Sequence, residues 1–159
     1  ALATQLFFLF QRSQQLESLP STDFFTAPLI SDFLMAKDPL FAEVNLASDE
    51  LALYRKVYDQ LTLNIPKPDL VIYLQAPESV LSRRIQQRGI NTEQDIDGAY
   101  LKTLNEAYQQ LFHYYEDSPL LIVNAEQIDY VNNDEHLDHL IEFIKSTTRG
   151  RFYLNPSLF

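Results

Sequence analysis

The chain has 159 residues, no cysteine and a formal charge of −10 at pH 7. A hydrophobic share of 46% excludes a disordered chain, and the length suffices to bury the core of one domain over residues 1–159. The lack of cysteine excludes a disulfide scaffold and a thiolate metal site, and the acidic balance argues against nucleic acid or an anionic membrane as partner.

The opening ALATQLFFLF is apolar but short, lacks a basic leader and contains Gln5, so neither a signal peptide nor a membrane span is expected. A cytoplasmic location follows as the expectation. The chain starts in mid-helix without a methionine, which suggests that further sequence precedes it.

Leu2, Leu6, Leu9, Phe10 and Leu16 recur at helical spacing and predict a helix over residues 2–18, closed by Leu19-Pro20. A short apolar run over 24–31 predicts a buried strand. Asp32 opens a second helical stretch to about Glu43, in which Pro39 forces either a kink or a second start. Ser48 reads as the N-cap of a third helix, with Leu51, Tyr54, Tyr58 and Leu61 on one face and Pro66-Lys67-Pro68 as its stop.

The run Asp69-Leu70-Val71-Ile72-Tyr73-Leu74 predicts a buried parallel strand, and Pro77-Glu78 starts a helix that ends at Arg88-Gly89. A polar stretch over 91–97 precedes a long helix over 100–115. Residues 119–124 predict another buried strand and 134–145 a last helix. Strands separated by helices predict an α/β fold, a parallel sheet covered on both faces. The tail over 147–159 shows no periodicity that places it.

Three arginines, Arg83, Arg84 and Arg88, fall within six residues of an acidic chain. Arg84 and Arg88 are i, i+4 and share a helix face beside the polar stretch. Guanidinium forks bind phosphate oxygens bidentately, and a helix ending in arginines beside a flexible loop suits a phosphoryl-transfer lid over about 84–97. The same spacing also suits a solvated arginine face paired with local carboxylates. His136 and His139 are i, i+3 on the last helix, but no further ligand accompanies them, so no metal site is expected.

The stretch Pro68-Asp69-Leu70-Val71-Ile72-Tyr73-Leu74-Gln75-Ala76-Pro77-Glu78, followed by Arg84, Arg88-Gly89, Glu93-Gln94 and Tyr100-Leu101, resembles the deoxynucleoside kinase family. The resemblance runs from about Gln5 to Ile144. It implies a P-loop nucleoside-kinase-like fold whose N-terminal part is missing here. It also implies 5′-phosphorylation of a deoxynucleoside with ATP and Mg2+, and commonly a homodimer. Arg84 and Arg88 match the family's catalytic lid arginines, and Glu93 matches the lid glutamate that holds the sugar 3′-hydroxyl. Gln5, Arg12 and Asp32 match the residues that read the base, a set that points to purine deoxynucleosides or deoxycytidine rather than thymidine. The intact enzyme is expected to take deoxyadenosine or deoxyguanosine.

The sequence departs from the family at three places. Ile90 stands where a third lid arginine is common, and Thr26-Ala27-Pro28 stands where an acid-arginine-serine motif is expected. The three glycines, Gly89, Gly98 and Gly150, cannot form G-x-x-x-x-G-K-[ST], so these residues contain no loop to cradle the β- and γ-phosphates. On its own the chain is expected to be nearly inert as a kinase. Two other readings stay open: a nucleoside monophosphate kinase, and a non-catalytic deoxynucleoside-binding module.

Overall fold

The computed structural model describes residues 1–19, 28–61, 65–91, 96–130, 133–147 and 149–155. They form two compact units, Ala1–Pro66 and Lys67–Phe159.

The first unit is helical. Helix α1 (Leu2–Glu17) packs with α2 (Lys37–Asn45) and α3 (Ser48–Leu61). Its core is Leu9, Met35, Ala42 and Tyr54, with Leu2, Leu6, Leu16 and Leu61 packed around it. Those leucines are the ones whose spacing predicted the helices. Leu9 is fully buried, which contributes roughly 2 kcal/mol relative to leaving it in water.

Two expectations in this unit need correction. Helix α2 begins at Lys37 rather than Asp32, which puts Pro39 in the first turn, where its missing N–H leaves no bond unmade. Of the strand expected over 24–31, residues 24–27 lie outside the described residues. The remainder, 28–31, adopts no regular element and leaves Leu29 and Ile30 exposed. A strand exists by pairing, and among the described residues none pairs with this segment. Helix α3 starts at Ser48 itself, with the Leu51 N–H donating to the Ala47 carbonyl at 2.8 Å.

The second unit is a three-stranded parallel sheet in the order β1 (Val71–Gln75), β2 (Leu120–Asn124), β3 (Arg151–Leu154). Helix α4 (Glu78–Arg88) and helix α5 (Gly98–Tyr114) connect β1 to β2, and α6 (Asp134–Ser146) connects β2 to β3. Side chains alternate across the sheet. Tyr73 of β1 stacks on Phe112 of α5 at 4.4 Å between ring centroids, so α5 covers one face. Leu121 and Val123 of β2 point the other way and pack with Leu140, Phe143 and Ile144 of α6. The sheet is thus flanked by helices on both faces, as the alternation of elements predicts.

Strand β2 is buried throughout its apolar run, as a central strand should be. Strand β1 is not: Ile72 and Leu74 are 39% and 50% exposed. The apolar run overstated its burial because β1 is a sheet edge among the described residues. Strand β3 lies in the tail that periodicity could not place.

Local capping follows the sequence closely. Pro77 is the N-cap of α4, and Gly89 ends that helix with φ +69°, a left-handed turn that glycine adopts without strain. The Asp97 carboxylate accepts from the Ala99 N–H at 3.2 Å to start α5, and Asn133 caps α6 through the Glu135 and His136 N–H groups.

Candidate nucleoside and phosphoryl sites

Each compact unit carries one constellation, built around an arginine. In the first unit Gln5 and Arg12 lie seven residues apart on α1, two turns along one helix face. The Arg12 guanidinium forms an ion pair with Asp38, at the second position of α2. It also lies over two aromatic rings, 5.4 Å from the centroid of Phe8 and 5.1 Å from that of Phe33. Asp38 is fully buried, and its second oxygen accepts from the Tyr54 hydroxyl at 3.0 Å. A buried carboxylate is tolerable because both of its oxygens are satisfied.

This network fixes charge states as well as positions. Burial, reinforced by the Asp38 charge, pushes the Tyr54 hydroxyl far above the usual phenol range, so it stays a donor. Lys37, next to Asp38, is pulled below the usual ammonium range by burial and then by the Arg12 charge. Its ammonium donates to the Asp32 carbonyl at 3.1 Å. The Arg12 side chain retains 30% exposure, so its outer edge can meet a ligand while Asp38 holds it.

The acid that meets Arg12 is therefore Asp38, not Asp32. Asp32 is exposed; its backbone carbonyl accepts from Lys37, and its charge acts on the Lys37 ammonium. The sequence contained a usable signal for Asp38: an acid immediately before Pro39, a pair that a helix's first turn accommodates.

In the second unit α4 carries Arg84 and Arg88 toward its C-terminus. The Arg84 guanidinium donates to the Ala125 carbonyl at 2.7 Å and the Ile128 carbonyl at 3.1 Å. It thereby ties α4 to the segment that follows β2. Among the described residues Arg84 forms no ion pair, and its acceptors there are neutral backbone dipoles. Arg88 is the last residue of α4, exposed beside the Gly89 turn. Glu93 lies outside the described residues. Among those described, no group of three or more histidines or carboxylates is placed to hold a metal ion, so Mg2+ has no preformed protein cage there. No helix among them is long and apolar enough to cross a membrane.

The α4–β2 arrangement puts a cationic side chain at the carboxyl end of a parallel strand, where open α/β sheets bind ligands. Comparison with known proteins identifies the family. The deoxynucleoside kinase family model matches residues 1–149. A deoxyguanosine kinase of Bacillus subtilis (strain 168) is 32% identical over 89% of this chain and 70% of its own length. A deoxyadenosine kinase of Lactobacillus acidophilus is 27% identical over 65% of this chain and 55% of its own length. Among solved structures, the deoxyadenosine kinase from M. mycoides with bound dCTP superposes with a TM-score of 0.74 at 24% identity, over 91% of this chain and 73% of that one. That likeness shows a P-loop nucleoside kinase fold, and β3 begins just beyond the family match. The chain belongs to the deoxynucleoside kinase family of phosphotransferases.

Proposed function

We propose that the native protein transfers the γ-phosphoryl group of ATP to the 5′-hydroxyl of a purine deoxynucleoside, deoxyguanosine or deoxyadenosine. The observation that carries this reading is Arg12, held by buried Asp38 and two aromatic rings on the helix face that also bears Gln5. Gln5 offers a carboxamide donor and acceptor to a base edge, and Arg12 offers guanidinium N–H groups to a base oxygen or ring nitrogen. Asp38 acts by orienting Arg12, and Asp32, the acid that the resemblance assigns to the base, stands next to Lys37. The relatives named as deoxyguanosine and deoxyadenosine kinases support the same substrate class.

Arg84 and Arg88 supply positive charge for the transferred phosphoryl group, and Glu93 holds the sugar. As the 5′-oxygen bonds to the γ-phosphorus, the bond to the β–γ bridging oxygen breaks, ADP leaves with its electron pair, and the hydroxyl proton passes to a general base or to solvent. Charge on the equatorial oxygens is what the arginines stabilise. Mg2+ would arrive as the counter-ion of the nucleotide. The protein acts in the cytoplasm as a homodimer, and the exposed Phe7 and Phe10 on α1 support association through helices.

The test is a steady-state phosphorylation assay of the native protein with ATP and four deoxynucleosides in turn. The reading predicts kcat/KM for deoxyguanosine or deoxyadenosine at least about tenfold above that for thymidine. Equal turnover of all four, or a preference for nucleoside monophosphates, contradicts it.

A further inference from the structure

The constellation around Arg12 holds a second cation that the pairing of Arg12 with Asp38 does not explain. Lys37 is the first residue of α2 and half-buried. Its surroundings disfavour a positive charge. Burial pulls the ammonium below its usual range, the Arg12 charge pulls it further, and a helix N-terminus repels cations. The Asp32 and Asp38 charges offset these effects only in part. Asp38 has one oxygen on Arg12 and the other on the Tyr54 hydroxyl. A lysine kept where stability disfavours its charge is a candidate for work on a ligand.

The segment before α2 sets this ammonium in place. The Phe33 N–H donates to Ser31 Oγ at 3.1 Å, and the Lys37 and Asp38 N–H groups donate to the Leu34 and Met35 carbonyls. These turns bring the Lys37 ammonium back to the Asp32 carbonyl at 3.1 Å. They also lay the Phe33 ring against the Arg12 guanidinium, 5.1 Å from its centroid. Arg12, Phe33 and Lys37 are each partly exposed, so the group has a face that a ligand can meet.

An ammonium and a guanidinium each carry several N–H donors and no acceptor. Two such groups within reach of each other's charge call for adjacent acceptors on the ligand. On a purine that is the guanine edge, where O6 lies next to N7; adenine puts an amino donor in place of O6. Adenine would set donor against donor and leave both without a partner. Resting on the base-reading role proposed above for Arg12, we infer that Lys37 is a specificity residue. With Arg12 it donates to O6 and N7 of the base and selects deoxyguanosine over deoxyadenosine.

The experiment measures kcat/KM of the native protein for deoxyguanosine, deoxyadenosine, deoxyinosine and thymidine, and repeats it with Lys37→Met and Arg12→Met. Deoxyinosine keeps O6 and N7 and lacks the 2-amino group, so it probes that edge without altering the protein. The expected preference for deoxyguanosine over deoxyadenosine is about tenfold or more, with deoxyinosine within about threefold of deoxyguanosine. Lys37→Met should lower kcat/KM for deoxyguanosine about tenfold and leave deoxyadenosine within about threefold. Deoxyinosine turned over as poorly as deoxyadenosine overturns the role of Lys37. So does a Lys37→Met protein that loses both purines equally, the mark of a structural residue. An unchanged deoxyguanosine preference in Lys37→Met, with the preference for purines over thymidine lost in Arg12→Met, overturns Lys37 alone. A purine preference kept in Arg12→Met overturns the base-reading role itself.

Discussion

Arg12 in the first unit and Arg84 in the second are held by opposite kinds of acceptor. Arg12 meets a buried carboxylate that is itself locked by Tyr54. Arg84 meets two backbone carbonyls. A carboxylate cancels the guanidinium charge and fixes its geometry, which suits a site that must tell one base from another. Neutral carbonyls orient the fork but leave its charge in place, which suits a site that must answer charge developing on a phosphoryl group. The partner, more than the residue type, decides which task an arginine can take.

That contrast can be broken at Asp38 first. Asp38→Ala leaves Arg12 without its counter-ion and the Tyr54 hydroxyl without its acceptor, and is expected to cost about 3 kcal/mol, a fall in Tm of roughly 6–12 °C. Asp32→Ala, an exposed acid, should stay within about 0.5 kcal/mol by the same thermal scan. Arg84→Met tests the other half. In the native protein kcat should fall about 10- to 1000-fold, while the lost carbonyl contacts cost only about 1–2 kcal/mol of stability.

Alkaline pH sharpens the comparison within the second unit. Burial pushes Tyr73 up to about 12, as it does Tyr130. An unfolded tyrosine ionises near 10, so between about pH 10 and 12 the unfolded chain holds fewer protons than the folded one. The stability these groups contribute is complete below about pH 10 and is lost as pH rises toward 12, by roughly 2 kcal/mol per tyrosine. Tyr73→Phe should flatten that limb in denaturant titrations run at stepped pH. A modest effect is expected at Gly89→Ala, where the left-handed turn after α4 costs about 1 kcal/mol.

The sequence made some of these features legible and hid others for physical reasons. Helices α1, α4, α5 and α6 and strands β1 and β2 carry their periodicity or capping residues in the chain, and they fall within a residue or two of the expected bounds. Strand β3 does not, because Phe152 and Tyr153 are both exposed and no alternation marks Arg151–Leu154. Asp38 was hidden behind a misplaced start of α2. The acceptors of Arg84 could not be read at all, since a backbone carbonyl belongs to every residue type and leaves no trace in composition. The resemblance named the family, but the pairing of Arg12 needed the packing of α1 against α2.

The most direct test of the base-reading claim is a calorimetric titration of deoxyguanosine, deoxyadenosine and thymidine into the protein and into its Arg12→Met variant. The account predicts that the unaltered protein binds at least one purine deoxynucleoside about tenfold or more tightly than thymidine, and that Arg12→Met removes most of that difference with little change for thymidine. An Arg12→Met protein that is folded and discriminates as before would contradict the account and detach the Arg12–Asp38 pair from substrate recognition.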